Sequence, residues 1–168
     1  SIKKLEKNKI YISINYQKEK IVNKISALKL KNVDFLVESK PLGTAGSLSL
    51  IGDVTNDLLV INGDVITKLN FESFIEYFND RNYDLLIASA LIPKKIDFGV
   101  LETSKTNNQL ISIQEKPIIN INVASGIYMF KSKVFKNLKK NTKIEMPELI
   151  SNLIKKNYNI GVFPIYEK

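Results

Sequence analysis

The chain has 168 residues, a net charge of +8, and neither cysteine nor histidine. Its length and 44% apolar composition fit one globular domain that buries about 70% of its unfolded surface. The two missing residue types exclude a disulfide framework, thiolate metal sites and imidazole catalysis, leaving carboxylates, lysines, backbone amides and a hard metal ion.

No apolar run approaches the ~20 residues that span a bilayer, and the lysine-rich start lacks the apolar core of a signal peptide. The expectation is no membrane partner and a cytoplasmic setting. Nearly all the positive charge is lysine spread along the chain, and Arg81 is the sole arginine. Bidentate phosphate and base recognition favour arginine, so solvated surface is expected rather than a nucleic-acid partner.

In chain order, residues 1–8 read as the end of a helix with no strand before it. Residues 9–15 alternate as a strand, 17–28 show helical spacing through Ile21, Ile25 and Leu28, and 33–37 read as a strand. The stretch PLGTAG at 41–46 leads into a short helix expected over 46–53, and 57–61 read as a fully buried apolar strand. Asn70 is placed to cap a helix running to Asn82, and 83–92 form another apolar strand. Strands then follow at 99–102, 110–114 and 126–130, Pro147 opens a helix through about 156, and 161–165 close the chain as a strand. Alternating strands and helices imply an α/β fold with a doubly wound, mostly parallel sheet, here carrying a β-rich insertion.

Three stretches carry candidate chemistry. LLVINGDV places Asp64 after an apolar strand, where α/β sheets bind ligands and where one carboxylate suits Mg²⁺; a plain Asn-Gly turn is the alternative. PLGTAG could present backbone amides to a base or phosphate, or serve only as tight packing. ISIQEKP ends a strand with Glu115 and Lys116 adjacent, suited either to a sugar phosphate or to a solvated ion pair.

Taken in order, PLGTAG (41–46), NGD (62–64), FGVLE (98–102), EKP (115–117), SGIYMF (125–130) and EMPELI (145–150) resemble the sugar-phosphate nucleotidylyltransferases, specifically the mannose-1-phosphate guanylyltransferase-like branch. These enzymes join a nucleoside triphosphate to a sugar 1-phosphate and release pyrophosphate. The resemblance implies a Rossmann-like nucleotidyltransferase fold, with a nucleoside triphosphate and a sugar 1-phosphate as partners and Mg²⁺ as cofactor. Leu42, Gly43, Thr44 and Ala45 would lie against the nucleoside base, and Asn62 and Gly63 would border the substrate. Asp64 would bind the metal, Gly99 would contact the sugar through its backbone, and Glu115 would hold sugar hydroxyls. Lys116 would hold the sugar phosphate, and Ser125 and Gly126 would lie in the sugar-contact strand, where Ala124 replaces an asparagine common in the family.

The same resemblance places the family's first strand and glycine-rich signature before Ser1, and a second metal-binding aspartate beyond the strand that ends at 166–168. Residues 1–168 are therefore expected to be a single nucleotidyltransferase-like domain truncated at both ends, and inactive or nearly so in isolation. An inactive regulatory or nucleotide-sensing domain of the same fold is the alternative. The absent strand would lie between the strands at 9–15 and 57–62. Unpaired edges there favour direct pairing of those two strands or association as a homo-oligomer, unless the chain is part of a longer protein.

Overall fold

The computed structural model describes residues 9–30 and 32–165. The helix end expected at 1–8 and the positions 166–168 lie outside them. The elements are β1 (Ile10–Ile14), α1 (Lys18–Ala27), β2 (Val33–Val37), α2 (Gly43–Gly46), β3 (Leu58–Ile61), α3 (Phe71–Asp80) and β4 (Leu85–Lys95). They continue as β5 (Val100–Thr103), β6 (Leu110–Gln114), β7 (Ile118–Phe130), α4 (Met146–Lys155) and β8 (Ile160–Ile165). The fold is α/β, and the chain divides into two compact units, Ser1–Leu58 with Phe130–Asn159 and Leu59–Met129 with Ile160–Lys168.

In the first unit β1 and β2 pair in parallel, from Ile10 opposite Val33 to Ile14 opposite Val37, with α1 as the crossover. The chain turns into α1 at Gln17, whose φ of 52° is left-handed. The helix expected over 46–53 instead begins at Gly43, inside the PLGTAG loop, and passes at once into a 3-10 turn over Ser47–Leu50. A further 3-10 turn over Ser132–Asn137 carries no sequence periodicity that announced it. Asp57 caps it: one carboxylate oxygen accepts the Ser132 N–H at 3.0 Å and the other meets the Lys131 Nζ at 2.8 Å. Buried side chains here include Leu42, Leu48, Phe130, Val134, Met146 and Leu149, with the Phe130 and Phe135 rings 5.5 Å apart.

The second unit holds a four-stranded sheet in the order β3-β7-β4-β8 and a separate β5-β6 hairpin. β4 and β8 are parallel. The Ser125 hydroxyl donates to the Ala88 carbonyl at 2.8 Å and the Ile96 N–H to the Pro117 carbonyl at 2.9 Å. β7 is thus traversed backwards as β4 advances, which makes it the reversed strand. Pro164 is tolerated because β8 lies at the sheet edge, where a missing N–H costs no ladder bond on the open side.

Asn70 caps α3 as its position foretold, its side-chain oxygen accepting from Glu72 N at 3.0 Å and Ser73 N at 3.2 Å. That helix buries Phe74 and Phe78 completely against Leu86, Ala88, Ile127 and Met129. Two strands outrun their predicted limits: β4 continues through Pro93 to Lys95, and β7 starts eight residues before 126, at Ile118. These added lengths are mostly exposed, so no apolar pattern marked them. β3 is half-buried with Ile61 44% exposed, rather than a fully buried strand. Among the described residues β1 pairs with β2 and β3 with β7, and the strands at 9–15 and 57–62 do not pair with each other.

A Cβ at Gly161 would overlap the Tyr83 ring, which lies 5.9 Å from the Tyr77 ring, so β8 needs glycine there. Nothing lies within 4 Å of where Gly63 would carry one. Gly161→Ala is expected to cost about 1–3 kcal/mol in urea unfolding, and Gly63→Ala to stay within about 0.5 kcal/mol of the parent.

Candidate functional site

The structure gathers the six motifs into three pairs, two of them joining stretches far apart in sequence. The first pair unites PLGTAG with EMPELI inside the first unit. The Ala45 and Gly46 N–H groups both donate to the Ile144 carbonyl at 3.1 Å, and Ile144 N–H donates back to the Leu42 carbonyl at 2.9 Å. The Glu145 carboxylate accepts from the Thr44 N–H and hydroxyl, each at 3.0 Å. The Thr44 hydroxyl oxygen in turn accepts the Met146 N–H at 2.7 Å. The starts of α2 and α4 therefore cap one another, each supplying the acceptor that the other's free N–H requires.

Two further contacts tighten this loop. Glu38 accepts the Leu42 N–H at 2.8 Å and the Ser13 hydroxyl at 2.5 Å. A Cβ at Gly43, where φ is +78°, would stand 2.7 Å from the Ile144 oxygen, and one at Gly46 2.7 Å from the Thr142 oxygen. Close packing against 142–146 thus explains both glycines without any ligand. Leu42 and Ala45 are buried, so of the four residues expected to face a base only Gly43 and Thr44 offer surface. Glu38 and Glu145 were missed as functional residues. The adjacency of a carboxylate and a proline-started helix in EMPELI was the available signal for Glu145; Glu38 had none.

The second pair joins NGD to SGIYMF in the second unit. Asn62 N–H donates to the Gly126 carbonyl at 2.9 Å, and Val65 N–H closes a turn onto the Asn62 carbonyl at 3.2 Å. Gly126 has φ +79° and lies against Asn62, where a Cβ would come within 2.8 Å of its amide nitrogen. Ser125 spends its hydroxyl proton on Ala88. The turn leaves Gly63 and Asp64 exposed at the end of β3, and the Asp64 carboxylate accepts no hydrogen bond among the described residues. Among those residues no group of three or more Asp, Glu, His or Cys converges, and Asp64 is the exposed carboxylate that would hold a hard cation. Such an ion would take its other ligands from phosphates and water and would neutralise phosphate charge.

The third pair joins FGVLE to EKP, also in the second unit. Lys116 N–H donates to the Phe98 carbonyl at 3.3 Å, and a Cβ at Gly99 would be 3.2 Å from a Glu115 carboxylate oxygen. In a regular strand Glu115 and Lys116 would point to opposite faces. Lys116 has φ 46°, however, and this left-handed turn brings its Nζ to 3.9 Å from Glu115 Oε1. Most other non-glycine residues with positive φ are asparagines, which tolerate it; a lysine, followed by Pro117, does not do so readily. Both side chains are more than half exposed, so the pair itself adds little stability. No hydrogen bond or ion pair among the described residues links Asp64 to Glu115 or Lys116.

The profile described as nucleotidyl transferase matches residues 2–163. The chain belongs to that family. Bifunctional protein GlmU of Methanocaldococcus jannaschii is 32% identical over 166 residues, 91% of this chain and 37% of that protein. Mannose-1-phosphate guanyltransferase of Yarrowia lipolytica is 26% identical over 134 residues, 74% of this chain and 37% of that protein. The structure of HddC from Yersinia pseudotuberculosis complexed with GMP-PN superposes with a TM-score of 0.65 at 24% identity, covering 93% of this chain and 69% of that one. The family resemblance and the mostly parallel α/β fold read from the sequence therefore both hold. The chain spans less than two fifths of the length of these curated relatives. Among the described residues no helix is long and apolar enough to cross a membrane.

The Thr44 N–H, and after it the Thr44 hydroxyl, hold the Glu145 carboxyl below its usual range, with Lys143 adding to the effect. Because the folded value is depressed, this stabilisation is complete above the unfolded value and disappears as pH falls through the folded one. Hydrogen-exchange protection of the Thr44 amide is expected to survive acidification to the ordinary glutamate value of about 4.3 and to be lost only as the pH falls further, and Glu145→Gln to flatten that dependence. Lys116→Gly is expected to match or exceed the parent in thermal stability, by up to about 1 kcal/mol, since it relieves the left-handed strain.

Proposed function

We propose that the chain is the substrate-binding part of a sugar-1-phosphate nucleotidylyltransferase. The exposed Gly43–Thr44 surface takes the nucleoside, and Glu115, Lys116 and Gly99 take the sugar 1-phosphate. Ser125 and Gly126 border the sugar, with Asn62 and Gly63 beside the reacting phosphates, and Asp64 is the residue that would hold Mg²⁺. A sugar-phosphate oxygen attacks the α-phosphorus in line, the bond from that phosphorus to the oxygen bridging to the β-phosphorus breaks, and pyrophosphate leaves. The contribution of these residues is positioning and charge neutralisation rather than proton transfer, which suits a site without histidine.

The observation that carries this reading is the left-handed backbone at Lys116. It forces an ammonium and a carboxylate to one side of a hairpin, beside a glycine whose missing side chain leaves the backbone accessible. A hexose 1-phosphate with a guanine nucleotide is the substrate pair we favour, supported by the names of the Yarrowia and Yersinia relatives. The 168-residue chain alone is expected to bind substrates without turning them over.

The test is pyrophosphate release by the full-length protein across a panel of nucleoside triphosphates and sugar 1-phosphates. Lys116→Met is expected to lower kcat/KM by about 10²–10³, while Lys116→Gly, which relaxes the turn, falls equally and so assigns the loss to the ammonium. Full activity in either variant would remove Lys116 from the site. For the isolated chain, a guanine nucleotide at a hundred times its Kd should add about 2.7 kcal/mol to stability.

A further inference from the structure

Behind the PLGTAG loop the first unit contains a cavity of about 200 Å³ that the proposed reaction does not use. Its floor is apolar: Val134, Leu149 and Leu153 are each no more than 5% exposed. Its rim is polar and cationic, formed by Lys139, Asn152, Lys156 and Tyr158. Leu149, Asn152 and Leu153 of α4 and Lys156, its C-cap, recur every three or four positions, so this face grades from buried hydrocarbon to an exposed ammonium. Lys133 adds a third cation, its Nζ 5.8 Å from the centre of the Tyr158 ring. No carboxylate lines the cavity, and neither Lys139 nor Lys156 forms an ion pair among the described residues. The remaining wall is Gly46, Thr142 and Ile144, residues of the first motif pair.

We propose that this cavity is a ligand site for a small organic anion with an apolar body, whose occupancy is transmitted to the loop at 42–46. A volume of about 200 Å³ equals roughly six or seven waters at about 30 Å³ each. It lies below the roughly 300–1,000 Å³ of sites that enclose drug-sized molecules. An aryl or short alkyl group fits the floor, and its phosphate or carboxylate meets the lysines at the rim. Binding there presses on Gly46 and Ile144, which are hydrogen-bonded to each other, and no slack remains because a Cβ at Gly46 already has no room. Its meaning for nucleotide affinity rests on the proposed function; the binding and the transmission do not.

Phenyl phosphate is the probe, with inorganic phosphate as the bare anion, followed by amide and methyl NMR on the full-length protein. Saturable shifts of the Val134, Leu149 and Leu153 methyls are expected, accompanied by shifts of the Thr44 and Ala45 amides. The double variant Lys139→Ala/Lys156→Ala, at exposed positions where folding is not at stake, should weaken binding by about tenfold or more. Lys94→Ala/Lys95→Ala in the other unit should leave it unchanged. Non-saturating shifts, equal binding of inorganic phosphate, or equal weakening by both double variants would overturn the site. Saturation with unmoved Thr44 and Ala45 amides would overturn the transmission. A negative pyrophosphate-release assay alongside saturable binding would count against the proposed function and leave this site standing.

Discussion

The reciprocal capping of Thr44 and Glu145 is the interaction on which the first unit depends. Each of the two helices begins with N–H groups that have no intrahelical partner, and each takes its acceptor from the other. α2 is only four residues long and could not persist alone, since helix nucleation is unfavourable and so short a helix makes almost no internal bonds. Its existence is borrowed from Ile144 and Glu145. The two glycines of the loop follow from this: they are the places where 142–146 approaches too closely for any side chain. What looked in the sequence like an opening for a ligand is, at those positions, an interlock, and only Gly43 and Thr44 of residues 42–45 keep exposed surface.

The second unit solves a different problem with the same economy. After β6 the side chains of Glu115 and Lys116 lie close together, whereas a regular strand would point them to opposite faces. The left-handed residue at 116 brings them together at the cost of backbone strain. Asp64 reaches the surface by the simpler device of a closed turn after β3, with Gly63 free of packing constraint. Positions where glycine is imposed by neighbours, such as 43, 46 and 126, differ physically from position 63, where nothing in the fold demands it.

Much of this was legible in the amino-acid order. Strands with clear alternation or unbroken apolar runs, and α3 with its Asn70 cap, were readable because local pattern and burial agree there. The last three residues of β4 and the first eight of β7 were not, since they mostly expose their side chains and so carry no apolar pattern. Nor was the true start of α2, whose hydrogen-bond acceptors lie about a hundred residues downstream. Motif order identified the family, yet it could not tell which motif meets which. Glu38 is the clearest case: one acidic residue among many, distinguished only by the two donors that fold onto it.

Neither unit is continuous in the chain: each is completed by a segment that follows a part of the other. Thr44 and Glu145 are separated by 101 positions, and most of the second unit's sequence lies between them. During synthesis the PLGTAG segment therefore leaves the ribosome long before the residues that shape it exist. Its amides must wait, solvated, until the strand through Phe130 and the helix after Glu145 arrive. The exposed face of the loop is in this sense the last-assembled part of an early-made segment, and a chain stopped short of α4 would carry the motif without its conformation.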